Sequence, residues 1–288
     1  MNEMNTQVRA SNEALTELVK KRSQASKSIF IVLIGAFFLF LPPIGIIIIF
    51  YGISRSQKIQ REMKALYKDA FVREPLANNF DNVVYEPNQG FSVENVKDFR
   101  LCLTGNSFYS EDYIRASYQG VPFEMAEVRA YDVDKSDDSS RSTTYFEGRM
   151  IVFNFPNKLV NSVSVFGRKF KHRDLSRREE KETKVELESM QFNNDFDVYS
   201  PIQQDAFYLI TPQFMERLGV LAGKYESIAM NVVGSRVALA FNEPGKNAFD
   251  ADVPIGQVDV DKEMAKVQAE IDDIKLFISL ILNLRTYG

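Results

Sequence analysis

The 288-residue sequence predicts an α+β protein with an N-terminal membrane helical segment or hairpin, followed by a water-exposed domain with a mostly antiparallel sheet and a long C-terminal helix. Three observations predict it. Residues 28–53 read SIFIVLIGAFFLFLPPIGIIIIFYGI, without a charge. From about residue 113 onward, short segments alternate apolar and polar residues between turn residues, as half-buried antiparallel strands do. Toward the C-terminus Val260, Met264, Val267, Ile271, Ile274, Ile278 and Ile281 recur at spacings of four and three, one face of a helix.

These divide the chain into a polar, basic N-terminal helix (1–27), a membrane segment (28–53), a basic juxtamembrane helix (54–74) and a cytoplasmic α+β domain (75–288). A bilayer core needs about 20 helical residues, so the apolar stretch is long enough to span. Pro42 and Pro43 interrupt it, because two prolines remove consecutive helical hydrogen bonds. Lys20, Lys21, Arg22 and Lys27 precede the stretch, and Arg55, Lys58, Arg61, Lys64 and Lys68 follow it. Positive residues mark the cytoplasmic side, and both flanks carry them. The charges therefore favour a hairpin turning at Pro42-Pro43 over one kinked span, with all nine side chains at the membrane interface. Either topology leaves the large domain in the cytoplasm.

The remaining elements follow in order. Residues 6–22 read as a polar helix. Ile59, Met63, Leu66 and Ala70 continue a helix past the apolar stretch, with Glu74-Pro75 as its stop. Residues 93–103 read as a helix, and 113–118 and 123–132 as strands about a Gln119-Gly120 turn. Residues 132–143 form a polar loop. Strands follow at 144–155, 162–166, 185–189 and 196–199, then a helix at 212–221. Residues 227–233 and 236–241 make a hairpin about Gly234-Ser235. After a loop at 242–258 comes the closing helix, with Asp259 and Asp261 at its start and Arg285 at its end. Phe277, Leu280 and Leu284 widen its apolar face, so it is expected to lie across a sheet.

Composition narrows the function. Residues 1–75 carry 11 Lys/Arg against 6 Asp/Glu, while the remainder carries 24 against 33. The acidic portion would be repelled by nucleic acid, and that partner is set aside. The single cysteine, Cys102, permits no intrachain disulfide, and the single histidine, His172, rules out His-rich metal clusters. No glycine-rich phosphate loop and no GxSxG elbow occurs. Asp132, Asp134, Asp137 and Asp138 cluster without the glycine and closing glutamate of a calcium loop. The basic run at 167–184 reads as a solvated connection. The sequence thus nominates no catalytic residue, cofactor or metal ligand, and the expectation is a protein that is not an enzyme.

Residues 185–218, VELESMQFNNDFDVYSPIQQDAFYLITPQFMERL, resemble a bacterial membrane-protein family known as domain of unknown function number 3137. The positions that carry the resemblance are Phe192, Phe196, Val198, Tyr199, Ala206, Tyr208, Ile210, Thr211, Pro212 and Met215. The F-x-G of Phe146 and Gly148, the stretch YQGVPFEMAEVRAYD and the closing LNLRT also fit. The resemblance implies a bacterial inner-membrane protein with a cytoplasmic domain, with LemA-type membrane proteins as neighbours. It supplies no catalytic residues. Thr211-Pro212 also has a structural meaning, a helix cap followed by proline in the first turn. The expected function is a membrane-anchored, non-enzymatic scaffold or adaptor whose partners are the lipid bilayer and either itself or another membrane protein. The alternatives are a lipid-binding domain with a cavity between sheet and closing helix, and an enzyme with a dispersed acidic site.

Overall fold

The computed structural model describes residues 16–18, 20–24, 26–32, 44–136, 139–170, 182–246, 249–250 and 259–282. The described chain forms two units, one from residues up to 79 together with 248–271, the other from 80–247 with 272 onward.

The first unit is helical. Residues 16–18, 20–24 and 26–32 are helical, and α1 runs Ile44–Tyr67. A π-helical turn follows at Lys68–Arg73, and then α2, Glu74–Asn79. Pro75 directly follows the π-helical turn inside a continuous helical run, so the expected stop is instead a change of helix type. The stretch at 26–32 lies antiparallel to α1. Lys21 pairs with Glu62, and a Cβ at Gly52 would come 2.5 Å from Val32 Cγ2. Leu18, Ile59, Tyr67, Phe71, Leu76 and Phe249 are buried here with Val267 and Ile271 from the first half of α7, Val260–Leu282. The Tyr67 hydroxyl donates to Glu263 at 2.6 Å.

The expected membrane helical segment is not supported. Among the described residues no helix is long and apolar enough to cross a membrane. The reason lies in α1: after Ile53 it carries Arg55, Lys58, Arg61, Glu62 and Lys64, so its apolar part ends within about three turns. Pro42 and Pro43 lie outside the described residues.

The second unit holds a nine-stranded, antiparallel sheet in the order β1-β2-β3-β4-β9-β8-β5-β7-β6. The strands are β1 Asp81–Glu86, β2 Ser107–Tyr118, β3 Val121–Ser136, β4 Ser139–Asn154, β5 Val160–Gly167, β6 Thr183–Val185, β7 Phe196–Ser200, β8 Ser227–Gly234 and β9 Arg236–Asn242. The expected polar loop at 132–143 is mostly strand, because Asp132↔Thr143 through Ser136↔Ser139 continue the β3–β4 ladder. The polar residues there extend the hairpin ladder rather than form a long turn.

One face of the sheet packs α3, Val93–Phe99. Val96 and Phe99 join Ala126, Met150, Ala238 and Ala240 in one core. Asn231 Nδ2 donates to the Phe99 carbonyl at 2.9 Å, fixing the end of α3 to β8. The second half of α7 covers the other face, as its wide apolar stripe predicts. Phe277 stacks on Phe241 at 3.8 Å, with Tyr225 against both rings. That interface is filled by ring-on-ring packing. Gly148 lies at the β4–β9 crossing with φ +155°, and a Cβ there would collide with the Phe241 carbonyl, which accounts for the glycine of the F-x-G.

Three short helices complete the unit near β7: α4 Met190–Asp195, α5 Gln203–Leu209 and α6 Pro212–Ala222. The expected strand at 185–189 ends at Val185, since Ser189 is the N-cap of α4.

Candidate functional site

An open groove of about 1100 Å³ lies between α4 and α6. Its floor is built by sequence-local rules. The Ser189 hydroxyl accepts from Phe192 N at 3.2 Å, starting α4. The Thr211 hydroxyl accepts from Phe214 N at 3.3 Å with Pro212 in the first turn, starting α6. Phe192 and Phe196 stack at 4.6 Å, and with Ile210 and Met215 they give the groove an apolar base. On α6, Phe214, Leu218 and Leu221 face the core, which turns Met215, Gly219 and Val220 outward.

The walls are unusual for a surface. Val220 is 61% exposed and Phe207 47%. Gly219 sits inside a helix, where glycine costs roughly 1 kcal/mol relative to alanine, yet a Cβ there would meet nothing within 4 Å. The fold therefore does not need this glycine. What it provides is a notch in the groove wall.

The rim is acidic: Glu186, Glu188, Asp195 and Glu216 line it, and among the described residues no Lys or Arg does. Lys184, beside the groove, turns to Asp197 at 2.9 Å and to Glu186 at 3.4 Å. Asp197 holds the Lys184 ammonium above its usual range. Among the described residues, Glu188, Asp195 and Glu216 have no ion-pair partner. Backbone groups are also accounted for at the neighbouring sheet edge. Asn193 Nδ2 donates to the Leu187 carbonyl at 2.7 Å, and Leu187 N donates back to Asn193 Oδ1 at 3.1 Å.

A second constellation lies at the β2 bulge. Carboxylate oxygens of Glu111, Asp112 and Glu127 come within 4.8 Å of one another, and a notch of about 210 Å³ adjoins Glu111 and Glu127. This is the convergence an acidic site would need. Tyrosines engage it: Tyr85 donates to the buried Asp112 at 2.6 Å and Tyr109 to Glu111 at 2.9 Å. Next to Glu127 on β4, Arg149 forms a buried ion pair with Glu243 and lies under the Tyr225 ring. We read the constellation as a pin for the bulge, where Asp112 takes a left-handed φ of +57°.

The sequence-nominated interface residues divide. Lys20, Lys27, Arg55, Lys58 and Arg61 are exposed, and Lys21 is spent on Glu62. Lys68 is 2% exposed and pairs at 3.1 Å with Asp250, which also meets Lys64 at 3.0 Å. Lys68 thus belongs to a buried cluster rather than to a surface. His172 lies outside the described residues. Sequence reasoning used Phe192, Phe196 and Met215 to carry the family resemblance and missed the groove above them. Gly219, a glycine within an expected helix, was the signal that could have exposed it.

These features define an α+β protein with an acidic-rimmed apolar groove. Residues 144–286 match the family described as "Protein of unknown function (DUF3137)". The match includes the groove and excludes the carboxylates at the β2 bulge. No curated protein matches the chain. Among solved structures, the chain is similar to the mycobacterial trehalose monomycolate transport factor A at 12% identity and a TM-score of 0.35, covering 67% of this chain and 88% of that one.

Proposed function

We propose that this chain is a non-enzymatic adaptor that docks a protein partner in the groove between α4 and α6. The observation that carries the proposal is exposed apolar surface with a helical glycine notch, where the fold itself gains nothing from either. The space between sheet and closing helix, where an acyl chain would have to lie, holds stacked rings, so lipid binding gains no support there. The exposed Lys20, Lys27, Arg55, Lys58 and Arg61 favour work beside anionic surfaces such as headgroups.

The test is affinity purification of the full chain from its native cells in three forms: wild type, Phe207→Asp/Val220→Asp in the groove, and Phe50→Asp as an exposed control elsewhere. Partners that survive in wild type and the control and vanish from the groove variant are the expected result. A groove variant that melts normally and keeps every partner would remove the proposal.

A further inference from the structure

We infer that the groove's partner is an amphipathic α-helix with Lys and Arg flanking its apolar face. The inference rests on the adaptor reading and adds the chemistry of the ligand. Three observations lead to it.

The first is charge. Glu188, Asp195 and Glu216 stand on the rim around an apolar base made by Phe192, Phe196, Ile210 and Met215. A ligand with apolar residues in the centre and positive charge at its borders matches this distribution, and an acidic or neutral-polar segment does not. The second is backbone saturation. An extended peptide would bind by adding a strand to the sheet edge, which is β6, only three residues long. Immediately beyond β6 the donor and acceptor of Leu187 are both taken by the Asn193 side chain. Recognition then falls to side chains, as in helix-in-groove complexes. The third is shape. The groove runs between two helices, and Gly219 removes one side chain from its wall, as close approach of a third helix requires.

Specificity follows from the same features. Apolar anchors spaced by three and four residues would seat on the phenylalanine floor, and flanking Lys or Arg would face Glu188 and Glu216. Exposed charge pairs steer association more than they hold the complex, so binding should weaken with salt.

The experiment uses the full chain and three fluorescent peptides of about 18 residues, roughly five helical turns. One is an amphipathic Leu/Lys helix, one has the same composition scrambled to lose its apolar face, and one is an amphipathic Leu/Glu helix. Fluorescence anisotropy gives the affinities, and a dodecyl-chain probe serves as competitor. The Leu/Lys helix is expected to bind at least about tenfold tighter than either other peptide. Glu188→Gln/Glu216→Gln should weaken it about threefold to fivefold, and Glu188→Lys/Glu216→Lys should transfer preference to the Leu/Glu helix. Equal binding of the Leu/Lys and Leu/Glu helices, both abolished by Met215→Asp, would overturn the basic-partner inference while leaving a docking groove. Binding unaffected by Met215→Asp, or displacement by the dodecyl probe alone, would overturn the inference and the adaptor reading together.

Discussion

At Gly219 the needs of folding and of docking part company. Glycine in mid-helix is entropically costly, and the space beside it is open, so Gly219→Ala should raise stability by about 0.5–1 kcal/mol. The same methyl fills the notch, and partner affinity should fall although the protein is more stable. Thermal melts beside binding curves check both halves, and a stabilised variant with undiminished binding would show that the notch has no role. Elsewhere single residues act through protons. Burial, with Glu124 adding to it, pushes the Tyr113 hydroxyl up to about 12. Burial also raises Tyr225, against the opposing pull of Arg149 and with Asp273 accepting its hydrogen. The folded chain holds these protons more tightly than the unfolded chain does. Their contribution is intact below about pH 10 and is lost as pH rises through about 12. Denaturant midpoints should therefore fall between about pH 9 and about pH 11, and fall less in Tyr113→Phe.

At the scale of elements, the joint between β6 and α4 decides how the sheet edge behaves. Asn193 closes both backbone groups of Leu187 with its side-chain amide. Asn193→Ala should cost about 1–3 kcal/mol, since two hydrogen bonds disappear together. It should also expose the edge to strand pairing, seen as concentration-dependent association in light scattering. Loss of stability without association would mean that the edge is guarded by other means.

The same element scale shows what the sequence carried openly. The hairpin of β8 and β9, the cap at Thr211-Pro212 and the closing helix were legible because periodicity and turn chemistry act locally. The polar tip of β3 and β4 was hidden because its sequence carries no apolar alternation to mark a strand. The short α5 was hidden by its length, Gln203–Leu209. The membrane segment expected at 28–53 is not supported, because among the described residues no helix is long and apolar enough to cross a membrane. The groove was illegible because Phe192 and Phe196 do serve the core. Only the outward turn of Met215, Gly219 and Val220 on α6 makes a site above them.

For the whole molecule, the sequence divides into a basic first quarter and an acidic remainder. Within the sheet-bearing unit, the groove and the carboxylates at the β2 bulge are separate candidate sites, and only the groove lies within residues matched by the family. Hydrogen exchange on the full chain, with and without the Leu/Lys helix, distinguishes them in one experiment. If the groove is the docking site, slowing of exchange concentrates in residues 186–196 and 207–220, and the amides of 109–113 and 127 are unchanged. Protection absent from those two segments, or centred on Glu111 and Glu127, would contradict a docking role for the groove.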